Sequence, residues 1–147
     1  MGGRYAVERE AADLLRVTLA GDLSNALVSA CEAEVRAQLS VVRRGDVRVF
    51  VDLTEVVHYS IEARDGLVDV QQFIGRKASQ TAYAQGGALG RSLSLWISHT
   101  SEEQVIRSFR NEELALAWLG GNEAPSTGVR PLAKTRTRGT GGRRQTG

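Results

Sequence analysis

The side chains that could do chemistry are few and mostly far apart. Cys31 is the sole cysteine, so it can form neither an internal disulfide nor a cysteine-based zinc site. His58 and His99 stand on different segments, with no local spacing of His, Cys, Asp or Glu that suits a metal. Asp52 and Glu55 could act as general acid and base only in a pocket that separates their pKa values. Nothing around them (Val-Asp-Leu-Thr-Glu-Val) supplies such a pocket, and a solvated loop or capping role is expected. His58-Tyr59-Ser60 puts a base near a hydroxyl, but no G-x-S-x-G nucleophile elbow accompanies it. Ser60 opens a helix-like stretch. Its hydroxyl can cap that helix by accepting an amide hydrogen bond. Alternatively it can carry a phosphate, which the helix dipole would favour.

The run Gly86-Gly-Ala-Leu-Gly90-Arg91-Ser92 follows a strand-like segment and opens a helix-like one, as a phosphate-binding turn does. Its glycine spacing is one residue short of the P-loop pattern, and Arg91 replaces the lysine. A tight strand-to-helix turn is the simpler reading, with Arg91 as the contact if an anionic headgroup binds. These observations imply no metal and no cofactor, and a protein that is not an enzyme.

The elements that would hold these residues can be read from periodicity. Tyr5–Arg9 and Leu14–Ala20 read as a hairpin turning at 10–13, with Leu15, Val17 and Leu19 alternating against Arg16 and Thr18. Gly21-Asp22 is expected to end it. Ser24 is a cap for a helix carrying Leu27, Cys31, Val35 and Leu39 on one face, running to Arg43-Arg44 and stopped by Gly45. Val47–Leu53 is an almost continuous apolar run, suited to a strand covered on both faces. A loop over Thr54–Tyr59 would then lead to a helix from Ser60 to Ser79, with Ile61, Leu67, Val70, Phe73 and Ile74 inward. Gln80–Gln85 is a shorter strand. Ala88–Ser98 is a helix carrying Leu89, Leu93, Trp96 and Ile97. Glu103–Ser108 is a last strand, and Asn111 caps a closing helix, Glu112–Leu119. An opening hairpin followed by alternating strands and helices predicts an α/β fold with one mixed sheet, order ββαβαβαβα, parallel in its later part. Trp96 and Trp118 are expected in the core, with a partner-facing anchor as the alternative.

Of the 147 residues, 41% are hydrophobic and 24% charged, an ordinary globular composition. The formal charge of +2 averages two regions. Residues 121–147 carry six basic residues and one acid, whereas 1–120 hold 13 basic and 16 acidic residues. One α/β domain over 1–120 is therefore expected, with a disordered Gly/Arg/Thr-rich tail over 121–147 that has too few apolar residues to offset ordering. In that tail Arg130, Lys134, Arg136, Arg138, Arg143 and Arg144 are the candidates for contact with nucleic acid or anionic lipid. No aromatic residue is interleaved after Trp118, so base stacking is not expected there, and nucleic acid is expected at most through the tail. No apolar stretch reaches the roughly 20 residues of a membrane span, and no signal-like leader opens the chain, so a cytoplasmic location is expected.

Three stretches carry a family resemblance. They are Val49-Phe-Val-Asp52-Leu-Thr-Glu-Val56, Ser60-Ile-Glu-Ala63-Arg64, and Phe109-Arg-Asn-Glu-Glu-Leu-Ala-Leu-Ala-Trp118-Leu119. With the element order over about 5–120, they resemble STAS domains, and within them the SpoIIAA-like subgroup, which shares its fold with CRAL-TRIO lipid-transfer domains. The resemblance implies a bacterial, non-catalytic regulatory or protein-interaction module of the anti-sigma-factor-antagonist type, with a protein partner and a homodimer as candidate assemblies. Phosphorylatable members carry Asp-Ser at the start of the helix after the Asp-Leu-Thr strand. Here Ser60 stands one position early and follows Tyr59, so that phosphosite is not well kept. Ser60 is the switch candidate, and His58, Tyr59, Arg64, Phe73, Arg91 and Trp96 are the candidate partner or ligand contacts. The alternative, by the CRAL-TRIO likeness, is a small apolar ligand or lipid in a cleft lined by Phe73, Ile74, Leu89 and Leu93.

Overall fold

The computed structural model describes residues 2–101 and 104–121. The tail candidates, Arg130 to Arg144, lie outside the described residues, as does Glu103 of the expected last strand. The element order is β1 (Arg4–Ala11), β2 (Leu14–Leu23), α1 (Asn25–Leu39), β3 (Val47–Tyr59), α2 (Ile61–Lys77), β4 (Ala78–Ala84), α3 (Ala88–His99), β5 (Ile106–Phe109) and α4 (Glu112–Leu119). This is the predicted ββαβαβαβα order.

The five strands form one sheet in the order β1-β2-β3-β4-β5. β1 pairs antiparallel with β2, and every later pairing is parallel. Parallel strands added one after another in the same direction, with right-handed crossovers, put their crossover helices on one face. Accordingly α1, α2 and α3 share a face with Leu15, Val17 and Leu19 of β2 and Val47, Val49, Val51 and Leu53 of β3. Helix α4 follows the last strand and is no crossover. It covers the opposite face, where Phe50, Ala82, Ala84, Phe109, Ala115 and Leu119 form a second, smaller core.

The caps fall where expected. The hydroxyls of Ser24 and Ser60 and the side-chain oxygen of Asn111 accept from the amides of Leu27, Ala63 and Leu114. Such a bond is worth about 1 kcal/mol.

Several boundaries differ from expectation: among them, β1 runs on to Ala11, and α2 ends at Lys77 with β4 starting at Ala78. Helix α1 ends at Leu39, with Ser40 as its C-cap, short of Arg43-Arg44. Val42 leaves the helix path, donates to the Leu39 carbonyl and packs against the core. Strand β2 runs through Gly21-Asp22, and β3 through the stretch expected to be a loop, because these two segments pair with each other (Gly21↔Val56, Asp22↔His58, Leu23↔Tyr59). Two register slips, between Thr18 and Ala20 and between Gly21 and Asp22, each give β3 one residue more than β2. An extra residue reverses which face the following side chains meet. Leu53, Val56 and Tyr59 therefore all turn to the α1–α3 side despite their odd and even numbering. Strand β5 starts at Ile106, leaving Val105 exposed before it.

A candidate interaction surface at the α2–α3 edge

The long β3 delivers Tyr59 and Ser60 to the start of α2, where α3 runs alongside. The Ser60 amide donates to the Leu23 carbonyl at 3.3 Å, tying this corner to the end of β2. The Ser60 hydroxyl accepts from the Ala63 amide at 3.0 Å, so it caps α2. Tyr59 Oη and Ser92 Oγ lie 3.3 Å apart, joining the strand end to α3. One turn into α2, the Arg64 guanidinium stacks 3.9 Å from the centre of the Trp96 ring and pairs with Asp65 at 3.2 Å. A cation over an indole face at that distance is an attractive contact that fixes both side chains. Tyr59, Arg64, Ser92, Leu95, Trp96 and His99 line an open groove of about 450 Å³. Of these Leu95 is 57% exposed and Trp96 40%, and Ile61, about one turn before Arg64 on α2, is 65% exposed.

Three predicted contacts, Tyr59, Arg64 and Trp96, are thus brought together next to Ser60. Trp96, expected in the core, is on the surface, and so is Leu89, expected to line an apolar cleft. The buried stripe of α3 is Gly90, Leu93, Ser94 and Ile97, and a helix at the rim of a sheet buries no more than one such stripe. Ile61 stands one residue after the cap and outside the buried stripe of α2, which begins with Ala63, Leu67 and Val70. Ser92, Leu95 and His99 are further lining residues that the sequence does not mark as contacts. For Ser92 and His99 the signal is the spacing Leu89, Ser92, Trp96, His99, a second stripe on α3 displaced from the first.

The other candidates lie elsewhere. His58 belongs to β3, not to a loop. Its Nδ1 is 3.1 Å from Asp22 Oδ1, and both side chains line a separate open cleft of about 700 Å³ with Arg4 and Glu55. Ser60 and His58 therefore do not form a nucleophile–base pair. Asp52 Oδ1 accepts from the Thr54 amide and hydroxyl, while Glu55 pairs with Arg4 in solvent, so these acids have separate local roles. Phe73 lies under the guanidinium of Arg36 (4.5 Å) on α1, and Ile74 and Leu93 are fully buried in the core. Arg91 is exposed on α3, one turn from Leu95. The glycines before it are explained by chain geometry. Gly86 has φ 73°, and a Cβ on Gly90 would strike the Gln85 carbonyl. Among the described residues no three His, Cys, Asp or Glu side chains gather as a metal site, and no helix is long and apolar enough to cross a membrane.

Buried groups complete the picture. Burial pushes the Cys31 thiol up to about 12, leaving it protonated. Burial also raises Tyr83, whose hydroxyl donates to Gln71 Oε1 at 2.6 Å. Gln71 Nε2 in turn donates to Thr81 and Gln104, closing a polar network between α2 and β4.

No protein-family profile matches the sequence, and no curated protein does. Solved structures do match. A SpoIIAA-like-fold protein of Shewanella loihica superposes with a TM-score of 0.60 at 19% identity, over 80% of this chain and 94% of the other. The anti-sigma factor antagonist SpoIIAA in its unphosphorylated form gives 0.59 at 13%, over 80% and 98%. An anti-sigma factor antagonist of Mycobacterium paratuberculosis gives 0.57 at 12%, over 81% and 95%. With the strand order, the three helices on one face and the single helix on the other, these likenesses identify the fold of this chain as SpoIIAA-like, that of STAS domains.

Proposed function

We propose that the protein is a non-catalytic regulatory module that binds a protein partner through the α2–α3 edge. The observation that carries this reading is the exposed Trp96, held in place by Arg64 and sharing its groove with Leu95 and Tyr59. A rigid aromatic with an arginine beside it, inside an apolar patch with a polar rim, is the composition of an interface centre. Two structural neighbours are anti-sigma factor antagonists, which supports a regulatory role of this general type. Ser60 borders the patch, and a phosphate there would sit at the positive end of α2, within one helical turn of Arg64.

The test is quantitative affinity capture from the source cells with the full chain as bait. The arms are wild type, Trp96→Ala, Arg64→Ala and, as a control in the separate cleft, His58→Ala. The expected result is one protein retained by wild type and His58→Ala and depleted about tenfold or more by Trp96→Ala, the size of loss typical of an interface anchor. A partner equally retained by all four baits would place the interface elsewhere. Native mass spectrometry of the same preparation addresses the ligand alternative. An added mass of several hundred daltons, lost on denaturation, would replace the protein-partner reading.

A further inference from the structure

We propose that the chain forms a symmetric dimer by antiparallel pairing of β1 with β1 of a second copy. The sheet has two edges. The β5 edge is four residues long, with Arg107 folded over Phe109 and Trp118. Strands this short offer little template. The β1 edge is eight residues long, and no described residue pairs with its outer side. Its sequence, Arg4-Tyr-Ala-Val-Glu-Arg-Glu-Ala11, is complementary to itself when reversed.

The physics of the ladder narrows the register. Outward-facing backbone groups alternate along an edge strand, so two identical antiparallel strands can pair only when the numbers of facing residues sum to an even value. The ladder of β1 with β2 is regular from Arg4 to Arg9 and is broken by a bulge before Ala11. A register centred on Ala6 stays inside that regular stretch. It sets Arg4 opposite Glu8 of the second copy and Tyr5 opposite Val7, each twice by symmetry. Opposite charges and aromatic–β-branched pairs are the favourable cross-strand combinations. Centring on Val7 would set Arg4 opposite Glu10, which lies at the bulge and is already held by Arg16 at 3.0 Å.

The intramolecular contacts agree with this choice. Glu8 is exposed and makes no ion pair within the chain among the described residues. Arg4 is paired with Glu55, but both side chains are about 70% exposed (71% and 69%), so that pair costs little to exchange. Arg9 turns aside to the carbonyls of Ala12 and Gln38, leaving Tyr5 and Val7 as the apolar members on that face. The product would be a continuous ten-stranded sheet across a two-fold axis at Ala6, with the α2–α3 edge of each copy left open.

Sedimentation equilibrium of the full chain over a concentration series tests the proposal. Wild type should dimerise. Arg4→Glu and Glu8→Arg, each opposing like charges at both symmetric positions, should each raise the dimer dissociation constant about tenfold or more. The double variant, and an equimolar mixture of the two single variants, should both restore association. Oxidised Ala6→Cys should cross-link across the axis, and Val7→Cys should not, with buried Cys31 silent. Unchanged far-ultraviolet circular dichroism would confirm folding of these surface variants. A chain that stays monomeric at roughly 100 μM, a dimer indifferent to both charge reversals, or single variants that do not re-associate on mixing would overturn the proposal. Partner capture through Trp96 is read separately, so either proposal can fail alone.

Discussion

The two faces of the sheet hold their helices by different means. On the α1–α3 face the seal is apolar and extensive, from Leu15 and Val17 on β2 through Val49 on β3 to Val35, Leu67, Ile74 and Ile97 on the helices. On the other face an eight-residue helix meets a small patch, and Ala82 and Ala84 leave little side chain to pack. A helix that short is marginal alone. Arginines from the sheet secure both of its ends. Arg16 reaches Glu112 in the first turn at 2.6 Å, with Glu10 at 3.0 Å, and lies over the Phe50 ring. Arg48 donates to the Leu119 carbonyl in the last turn and pairs with Asp13 at 2.7 Å. An acid at the helix start and a cation at its end both suit the dipole. Where apolar area is large, packing suffices; where it is small, charges at the helix ends take over.

The largest effect should come from the apolar face. Ile74→Ala removes a fully buried side chain between α2 and the sheet and should cost about 3 kcal/mol in denaturant unfolding. Arg16→Met should cost less, about 1–2 kcal/mol, since it removes the clamp but keeps apolar bulk over Phe50. Its signature is local. Amide exchange in α4 should quicken while alkylation of Cys31, which reports opening of the other face, stays slow. Equal acceleration of both would mean that the two faces open as one unit. Ser60→Ala should cost about 1 kcal/mol through the lost cap, with amide exchange quickened in the first turn of α2.

The smallest effect is a pH dependence confined to α4. The Arg16 guanidinium holds the Glu112 carboxyl below its ordinary value of 4.5. The unfolded chain then takes up the proton first as pH falls, so the contribution of the pair is full above that value and fades as pH drops through the lower folded one. Exchange protection of α4 should weaken below about pH 4.5 in wild type. In Glu112→Gln it should be weaker at neutral pH and flatter across that range. An identical acid profile in both would remove the charge clamp from the account of α4.

Much of this was legible in the chain. Each cap residue, Ser24, Ser60 and Asn111, acts on an amide three positions away, so the local sequence is sufficient to find it. The alternation in β2, the apolar run of Val47–Leu53 and the closing helix Glu112–Leu119 likewise depend on near neighbours. The candidate site was half legible. The sequence marks Tyr59, Arg64 and Trp96 one by one but not as neighbours, and Arg16 reads in it only as a polar residue of a strand.

By itself the sequence determined the order and type of the elements, because hydrophobic periodicity and capping act within a few residues. It also determined that the later strands run parallel, since each is separated from the next by a helix. The tertiary structure decided the rest. The second half of β3 is a strand because Ala20–Leu23 lies beside it, a pairing between residues more than thirty positions apart. Its two bulges set which face Tyr59 and His58 meet, and so which groove each one joins. Trp96 is outside because α3 sits at the rim and buries one stripe, a matter of what stands next to the helix and not of the helix's own residues.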